Sequence, residues 1–340
     1  RANIILSTVR DYQPDMVLVD KKPLGLCGEL QTALEALKTR DNPPSIFLLL
    51  RDILDNPTAT QKVWRKRHYF QAIERYYERI LVVGQADFFD LTTEYAFPTS
   101  VSKKLHYCGY IRREAGLQDS ATIRAELGLQ ASQKLVLVTP GGGKDGEQLI
   151  IHYLQGIKNH PDPRRHSLVI CGSEMSEYNT QHIHQLAQQC SHITLQRFSN
   201  DLMSYMEAAD VVVSMLGYNT FCEILSTQKP AVVVPRVRPV EEQWIRATRM
   251  AQQGRLTAIH PDQLNAERLY QAVNALLSAP SHAPSPKTNP ILRLTALPTI
   301  NRMIAQSLQQ QASTSNTKNI QNTQDTQIQT PCFFLSTSAH

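Results

Sequence analysis

Between residues 134 and 279, short apolar runs alternate with longer amphipathic stretches. The runs lie at 134–139, 167–171, 193–198, 210–215, 231–235 and 256–259, and are rich in Val, Ile and Leu at successive positions. A run that is apolar on both faces is a strand buried on both sides, as in a parallel sheet. The intervening stretches carry helical spacing, for example Ile183, Leu186 and Ala187, or Trp244, Ala247 and Ala251. Strand–helix alternation repeated six times predicts a doubly wound α/β domain. The first part of the chain repeats the theme in shorter form. Strands are expected at 16–19, 46–50 and 80–83, one helix at 61–79, and a crossing toward the second domain at 101–109. The chain opens in the middle of a helical pattern (Ile4, Ile5, Val9), as though an upstream piece preceded it.

The pattern stops near Ser281, where Pro, Ser and Thr take over. A short helix is expected around 300–310. From Gln309 to Thr330 nearly every residue is Gln, Asn, Ser or Thr. Such a segment buries too little apolar surface to offset the cost of ordering it, so a disordered tail is expected, with 331–335 a stray apolar patch. The expected domains are therefore 1–115, a partial N-terminal Rossmann-like domain, 116–280, a complete C-terminal one, and 281–340, the tail.

The chain has 340 residues, 41% hydrophobic and 19% charged, with a net charge of +5. Residues 281–340 supply +3 of that, four cations (Lys287, Arg293, Arg302, Lys318) against Asp325. The mild basic balance therefore does not mark the folded part as a nucleic-acid binder. The stretch 61–79 holds six basic and two acidic residues with interleaved aromatics. Val63, Phe70, Ile73 and Tyr77 fall near helical spacing, which makes one face core and the other a solvated charged face. A peripheral contact with anionic lipid stays open for that face. The six cysteines are scattered, without CxxC or Cys/His spacing, so reduced thiols in a cytoplasmic protein and no metal site are expected. No apolar run reaches the roughly 18–20 residues that a membrane-spanning helix needs.

Topology then selects the candidate site. In the common doubly wound order, strands 1 and 4 lie side by side while their connections depart in opposite directions, and ligands bind beyond their carboxyl ends. Strand 1 of the 134–279 unit runs into Thr139-Pro-Gly-Gly-Gly-Lys-Asp-Gly146, and strand 4 into Ser214-Met-Leu-Gly-Tyr-Asn-Thr220. Each turn leads into a helix N-terminus, whose free N–H groups and dipole favour an anion such as phosphate. Gly141–Gly146 also matches the GxGxxG dinucleotide fingerprint, with Glu174 as the nearest acidic partner. Three adjacent glycines are equally a permissive turn with no ligand. Thr220-Phe-Cys-Glu223 reads as a capping box, or as a carboxylate that accepts from two ribose hydroxyls. In Pro235-Arg-Val-Arg-Pro-Val-Glu-Glu-Gln243, Pro239 and the glutamates suit a helix start, and Glu242 and Gln243 are candidates for reading sugar hydroxyls.

Together, Gly217–Glu223, Lys229-Pro230, the following apolar strand, Pro235 and Glu241-Glu-Gln243 resemble the donor-site signature of MurG-type glycosyltransferases, family 28 of the GT-B fold. Val19–Gly25, Leu50–Leu54 and Thr139–Gly143 resemble a bacterial group of predicted glycosyltransferases in that superfamily. The likeness covers about residues 10–280. It implies two Rossmann-like domains, the N-terminal one incomplete, and a nucleotide-diphosphate sugar, usually UDP-linked, as donor, with no cofactor or metal. It further implies that Phe198 meets the base through its backbone and Glu223 binds the ribose. Gly141, Gly142, Gly143, Lys144, Gly217, Tyr218, Asn219 and Thr220 then face the diphosphate, and Glu242 and Gln243 lie near the sugar. MurG has two glutamines at this last site, and here the first is Glu242. Asp20, Lys21, Arg51 and Asp52 end the first strands and are acceptor-side candidates. Asp20 and Asp52 are the candidates in this sequence for a general base, which the family carries in a glycine-rich turn expected upstream. The implied reaction is inverting transfer of a hexosyl or N-acetylhexosaminyl group to an unknown acceptor, with a lipid-linked one at the inner membrane face among the candidates. The rivals are a nucleotide-sugar epimerase or hydrolase, an NAD(P)-dependent oxidoreductase using Gly141–Gly146, and a non-catalytic nucleotide-sugar-binding protein.

Overall fold

The structure is a computed structural model and describes residues 1–279, 291–319 and 332–335. The strands are β1 (Met16–Asp20), β2 (Ser45–Arg51), β3 (Arg79–Val83), β4 (Leu105–Tyr107), β5 (Lys134–Thr139), β6 (Arg165–Ile170), β7 (Ile193–Gln196), β8 (Val211–Ser214), β9 (Ala231–Val233), β10 (Thr257–Ala258) and β11 (Cys332–Leu335). They divide between two compact units, residues 1–111 with 292–340, and residues 112–291. Both are doubly wound α/β bodies, as the apolar runs predict.

The first unit holds a parallel sheet in the order β11-β1-β2-β3-β4. Its centre is apolar on both faces: Met16, Val17, Val19, Ile46, Phe47, Leu48, Ile80, Leu81 and Val82 are fully buried. Helix Ala2–Tyr12 precedes β1 and turns Val9 inward. Three expectations change here. The stretch 101–109 does not cross away from the unit, because β4 lies within it and pairs with β3. The expected helix 61–79 is two helices, Pro57–Lys66 and Tyr69–Tyr76, broken at His68, whose φ is +54°. The break serves an aromatic cluster: Trp64 stacks on Phe97 at 4.9 Å and meets Tyr69 edge-on at 5.8 Å. Trp64 and not Val63 is the inward residue, and Val63 stays exposed.

The third change concerns the tail. Residues 296–319 form a helix that belongs to the first unit, well beyond the short helix expected at 300–310. Ala296, Ile300, Met303 and Ser307 are buried along one stripe of it. Ser307 donates to Ser45 Oγ at 2.7 Å, at the start of β2. Residues 332–335 are a strand beside β1. The Pro-, Ser- and Thr-rich stretch 280–290, residues 320–331 and residues 336–340 lie outside the described residues.

The second unit holds six parallel strands in the order β10-β9-β8-β5-β6-β7. Val136, Val138, Val169, Val211, Val213 and Val232 fill its centre. The chain leaves β5 toward β6 on one side and later returns through β8 on the other. Their register pairs Thr139 with Ser214, so the two turns that follow start level with each other. No helix among the described residues is long and apolar enough to cross a membrane.

If residues 296–319 pack as a structural helix, Met303→Ala should destabilise the first unit by about 2–5 kcal/mol, the usual cost of emptying a buried Met site. Urea unfolding measures it, and a midpoint equal to wild type would return the segment to the status of a tail.

Candidate functional site

The turn after β8 is built around a backbone strain and a missing side chain. Leu216 adopts φ +73°, a conformation costly for a non-glycine residue. Gly217 is the N-cap of helix Tyr218–Thr227 and has no side chain with which to cap it. Its carbonyl accepts from Phe221 N at 2.8 Å. The first-turn N–H groups of residues 218–220 form the positive end of this helix. This overturns the capping box: Thr220 stands inside the first turn and does not begin the helix.

Glu223 lies one turn further on and is buried. Its Oε1 is 3.8 Å from Arg113 Nη2, and its Oε2 is buried without a hydrogen-bond partner. Burial raises the carboxyl above its ordinary value of 4.5; Arg113 and Thr220 oppose that rise only in part. An acceptor oxygen left dry and unpaired costs stability. A ligand hydroxyl would satisfy it.

The turn after β5 faces this helix. A side chain at Gly141 would first meet Thr220 Oγ1, at 3.4 Å. Gly143, at φ +94°, backs onto the carbonyl of Cys171, and Gly172, at φ +97°, onto the carbonyls of Gly141 and Gly142. Glu174 N donates to Gly142 O at 2.7 Å. Gly143 and Gly172 are thus glycines because two backbones touch there. Gly142 has an ordinary φ, is exposed, and faces the Glu174 carboxylate. Lys144 is exposed. Arg236, after β9, bridges to Asp145 at 3.0 Å, and its N–H donates to Gln243 Oε1 at 3.0 Å. Phe198 stands two residues past β7 with 55% of its surface exposed. The neighbouring Arg197 carbonyl accepts from Gly172 N at 2.9 Å, which ties this turn to the one after β6.

Glu242 and Gln243 part company. Helix Glu242–Gln252 begins at Glu242, so Pro239 stands ahead of its first turn. Glu242 is buried and pairs at 2.8 Å with the fully buried Arg246. Gln243 Nε2 lies 3.8 Å from where a Gly217 side chain would begin. The second unit therefore brings Gly141, Thr220, Gly217 and Gln243 together beside the open helix end, with Glu223 behind them. Sequence reasoning missed Arg113, Arg236 and Arg246. Only the last leaves a legible signal, as the i+4 partner of Glu242.

In the first unit, Asp20 is half-buried at the end of β1, and Lys21, at φ +62°, donates its N–H to Leu49 O at 2.8 Å. Arg51 is exposed. Asp52 is fully buried; Oδ1 accepts from Ile53 N at 2.8 Å and Oδ2 from the Tyr110 hydroxyl at 3.1 Å. That carboxylate is spent inside the unit, which corrects its place among the acceptor-side and base candidates.

Residues 135–296 match the glycosyltransferase family 28 C-terminal domain. A UDP-N-acetylglucosamine–N-acetylmuramyl-(pentapeptide) pyrophosphoryl-undecaprenol N-acetylglucosamine transferase of Fusobacterium nucleatum is 27% identical over 127 residues, 37% of this chain and 34% of its own. The matched stretches span 34% and 41% of the first curated relatives' own lengths. The fold resembles MurG of Acinetobacter baumannii, with a TM-score of 0.52 and 15% identity over 81% of this chain and 68% of that one. It also resembles UDP-GlcNAc 2-epimerase of Neisseria meningitidis, at 0.57 and 15% over 91% and 81%. The two units are thus of the GT-B type. In the second unit, the open helix end and the orphaned Glu223 oxygen lie at the strand-order reversal, where doubly wound folds bind ligands.

Two outcomes follow for the unliganded domain. Gly143→Ala should cost at least about 1–3 kcal/mol through strain at positive φ, whereas Gly142→Ala should cost well under that. Equal urea midpoints for the two variants would contradict the backbone contact. Glu223, with its folded value raised, favours the folded state at low pH, and that contribution is lost as pH rises from 4.5 through the raised value. Glu223→Gln should therefore be more stable than wild type at about pH 7, with the gain shrinking toward about pH 4. Parallel stability curves at the two pH values would show that burial does not strain this carboxyl.

Proposed function

We propose that the protein is a glycosyltransferase that moves a hexosyl or N-acetylhexosaminyl group from a nucleotide-diphosphate sugar, UDP-linked, to an acceptor hydroxyl. The observation that carries this reading is Glu223 Oε2, a buried acceptor without a partner one turn from an uncapped helix N-terminus. The family match of residues 135–296 supports it.

In this reading Glu223 accepts from the ribose hydroxyls, and the base lies by the backbone of Phe198. The diphosphate rests on the N–H groups of Tyr218, Asn219 and Thr220 and against the loop Gly141–Lys144. As the bond from the anomeric carbon to the diphosphate breaks, negative charge grows on the leaving oxygen. A fixed helix dipole and oriented N–H groups stabilise that charge without reorganising, which is what an efficient electrostatic catalyst requires. The acceptor hydroxyl attacks the opposite face, inverting the centre, and loses its proton to a general base. Of the two carboxylates weighed for that base, Asp20 is the one not sealed in the core. No step calls on a metal. Acceptor binding falls to the first unit, with a lipid-linked acceptor in keeping with the pyrophosphoryl-undecaprenol of the relatives' names, and the protein works at the cytoplasmic face of the membrane.

Glu223→Ala should weaken UDP binding by about 1–3 kcal/mol, from the loss of charged hydrogen bonds. Calorimetry on the folded variant checks this; unchanged affinity would remove the ribose role. Incubation of the protein with UDP-N-acetylglucosamine alone separates the rival on the same fold. A 2-epimerised or hydrolysed sugar formed without acceptor would replace transfer as the activity.

A further inference from the structure

Arg246 has no exposed surface, yet it is a cation at the edge of an apolar core. A guanidinium is costly there unless its charge is paired. Nη2 donates to Glu242 Oε1 at 2.8 Å, and Nη1 reaches the carbonyl of Leu216 at 3.5 Å. The guanidinium carbon lies 5.5 Å from the ring centre of Tyr218 and 5.3 Å from that of Phe221. One side chain thus touches the first residue of its own helix, the left-handed residue of the β8 turn, and two residues of the helix that follows. Each of those contacts bears on where the N–H groups of residues 218–220 point. Leu216 at φ +73° needs such support, because the surroundings must hold a strained residue in place.

The same geometry explains why position 242 is a carboxylate. Facing a buried arginine, a glutamine would remove the negative charge that Glu242 sets 2.8 Å from it. Glu242 turns inward to that partner, while Gln243 turns to the backbone of Gly217.

We propose that Glu242 and Arg246 are a positioning pair that fixes the Leu216–Gly217 turn, and with it the diphosphate-binding end of helix Tyr218–Thr227. Glu242 therefore does not read the donor sugar. The inference rests on the donor-site reading of the preceding subsection.

Binding of UDP and of UDP-N-acetylglucosamine to the full chain, measured by calorimetry, tests it. A positioning pair acts on the diphosphate site, so Glu242→Gln should weaken both ligands by the same factor, roughly tenfold or more. Arg246→Lys, which keeps the charge but loses the fork that spans Glu242 and Leu216, should do likewise, and it carries the comparison if Glu242→Gln does not fold. A sugar-reading Glu242 would instead leave UDP unchanged and alter UDP-N-acetylglucosamine alone, which overturns the proposal. So would variants with lowered melting temperature but wild-type affinity for both ligands, since the pair would then be structural only. If the wild-type protein holds neither ligand, the donor-site reading itself falls, and the proposal with it.

Discussion

A parallel sheet sends the carboxyl ends of all its strands to one edge, and in the second unit this constraint governs everything nearby. Because β5 and β8 are neighbours with Thr139 level with Ser214, their two exit turns must share one small space. Glycines answer the crowding where backbone meets backbone, at Gly143 and Gly172. Where the chain turns back into a helix at Gly217, the absence of a capping side chain leaves the helix end open. The site is therefore a by-product of strand order before it is a collection of residue types.

What the fold leaves unsatisfied is as informative as what it satisfies. The centre of the sheet is apolar and closed, while the rim of the crevice holds a carboxylate oxygen without a donor and a leucine in a left-handed conformation. Both work against stability in the unliganded domain. Local rules are broken in this way where a protein is built for a partner and not for itself. The buried Arg246 is the counterweight, since it holds the strained turn from behind with charge, hydrogen bonds and aromatic faces together.

The sheet was legible because strands buried on both faces are apolar at successive positions, as in Leu135–Val138, Leu168–Ile170 and Val211–Val213. The strand-order reversal followed from alternation alone. The capping box misled because Thr-x-x-Glu carries the pattern whether Thr220 begins the helix or sits in its first turn; only the backbone at Gly217 decides. That Glu242 pairs with the buried Arg246 was not legible, because adjacent residues on a helix point in different directions and a sequence does not say which one faces the core. The helix over 296–319 was hidden by composition. Its buried stripe, Ala296, Ile300, Met303 and Ser307, is one residue wide, and the polar residues around it dominate any average. The break at His68 was invisible because it answers to Phe97, an aromatic partner distant in sequence.

The ends of the first unit's interrupted chain meet. Tyr110 N donates to Arg293 O at 2.7 Å, and Ala296 N to Tyr110 O at 3.0 Å, so the strand of chain that departs and the one that comes back are already laced together. Gly109 permits the approach, since any side chain there would strike Thr295 and the Arg293 carbonyl. The second unit, residues 112–291, is in effect spliced into one point of the first. A unit with its entry and exit stitched in this manner can carry an insertion without redesigning its own core.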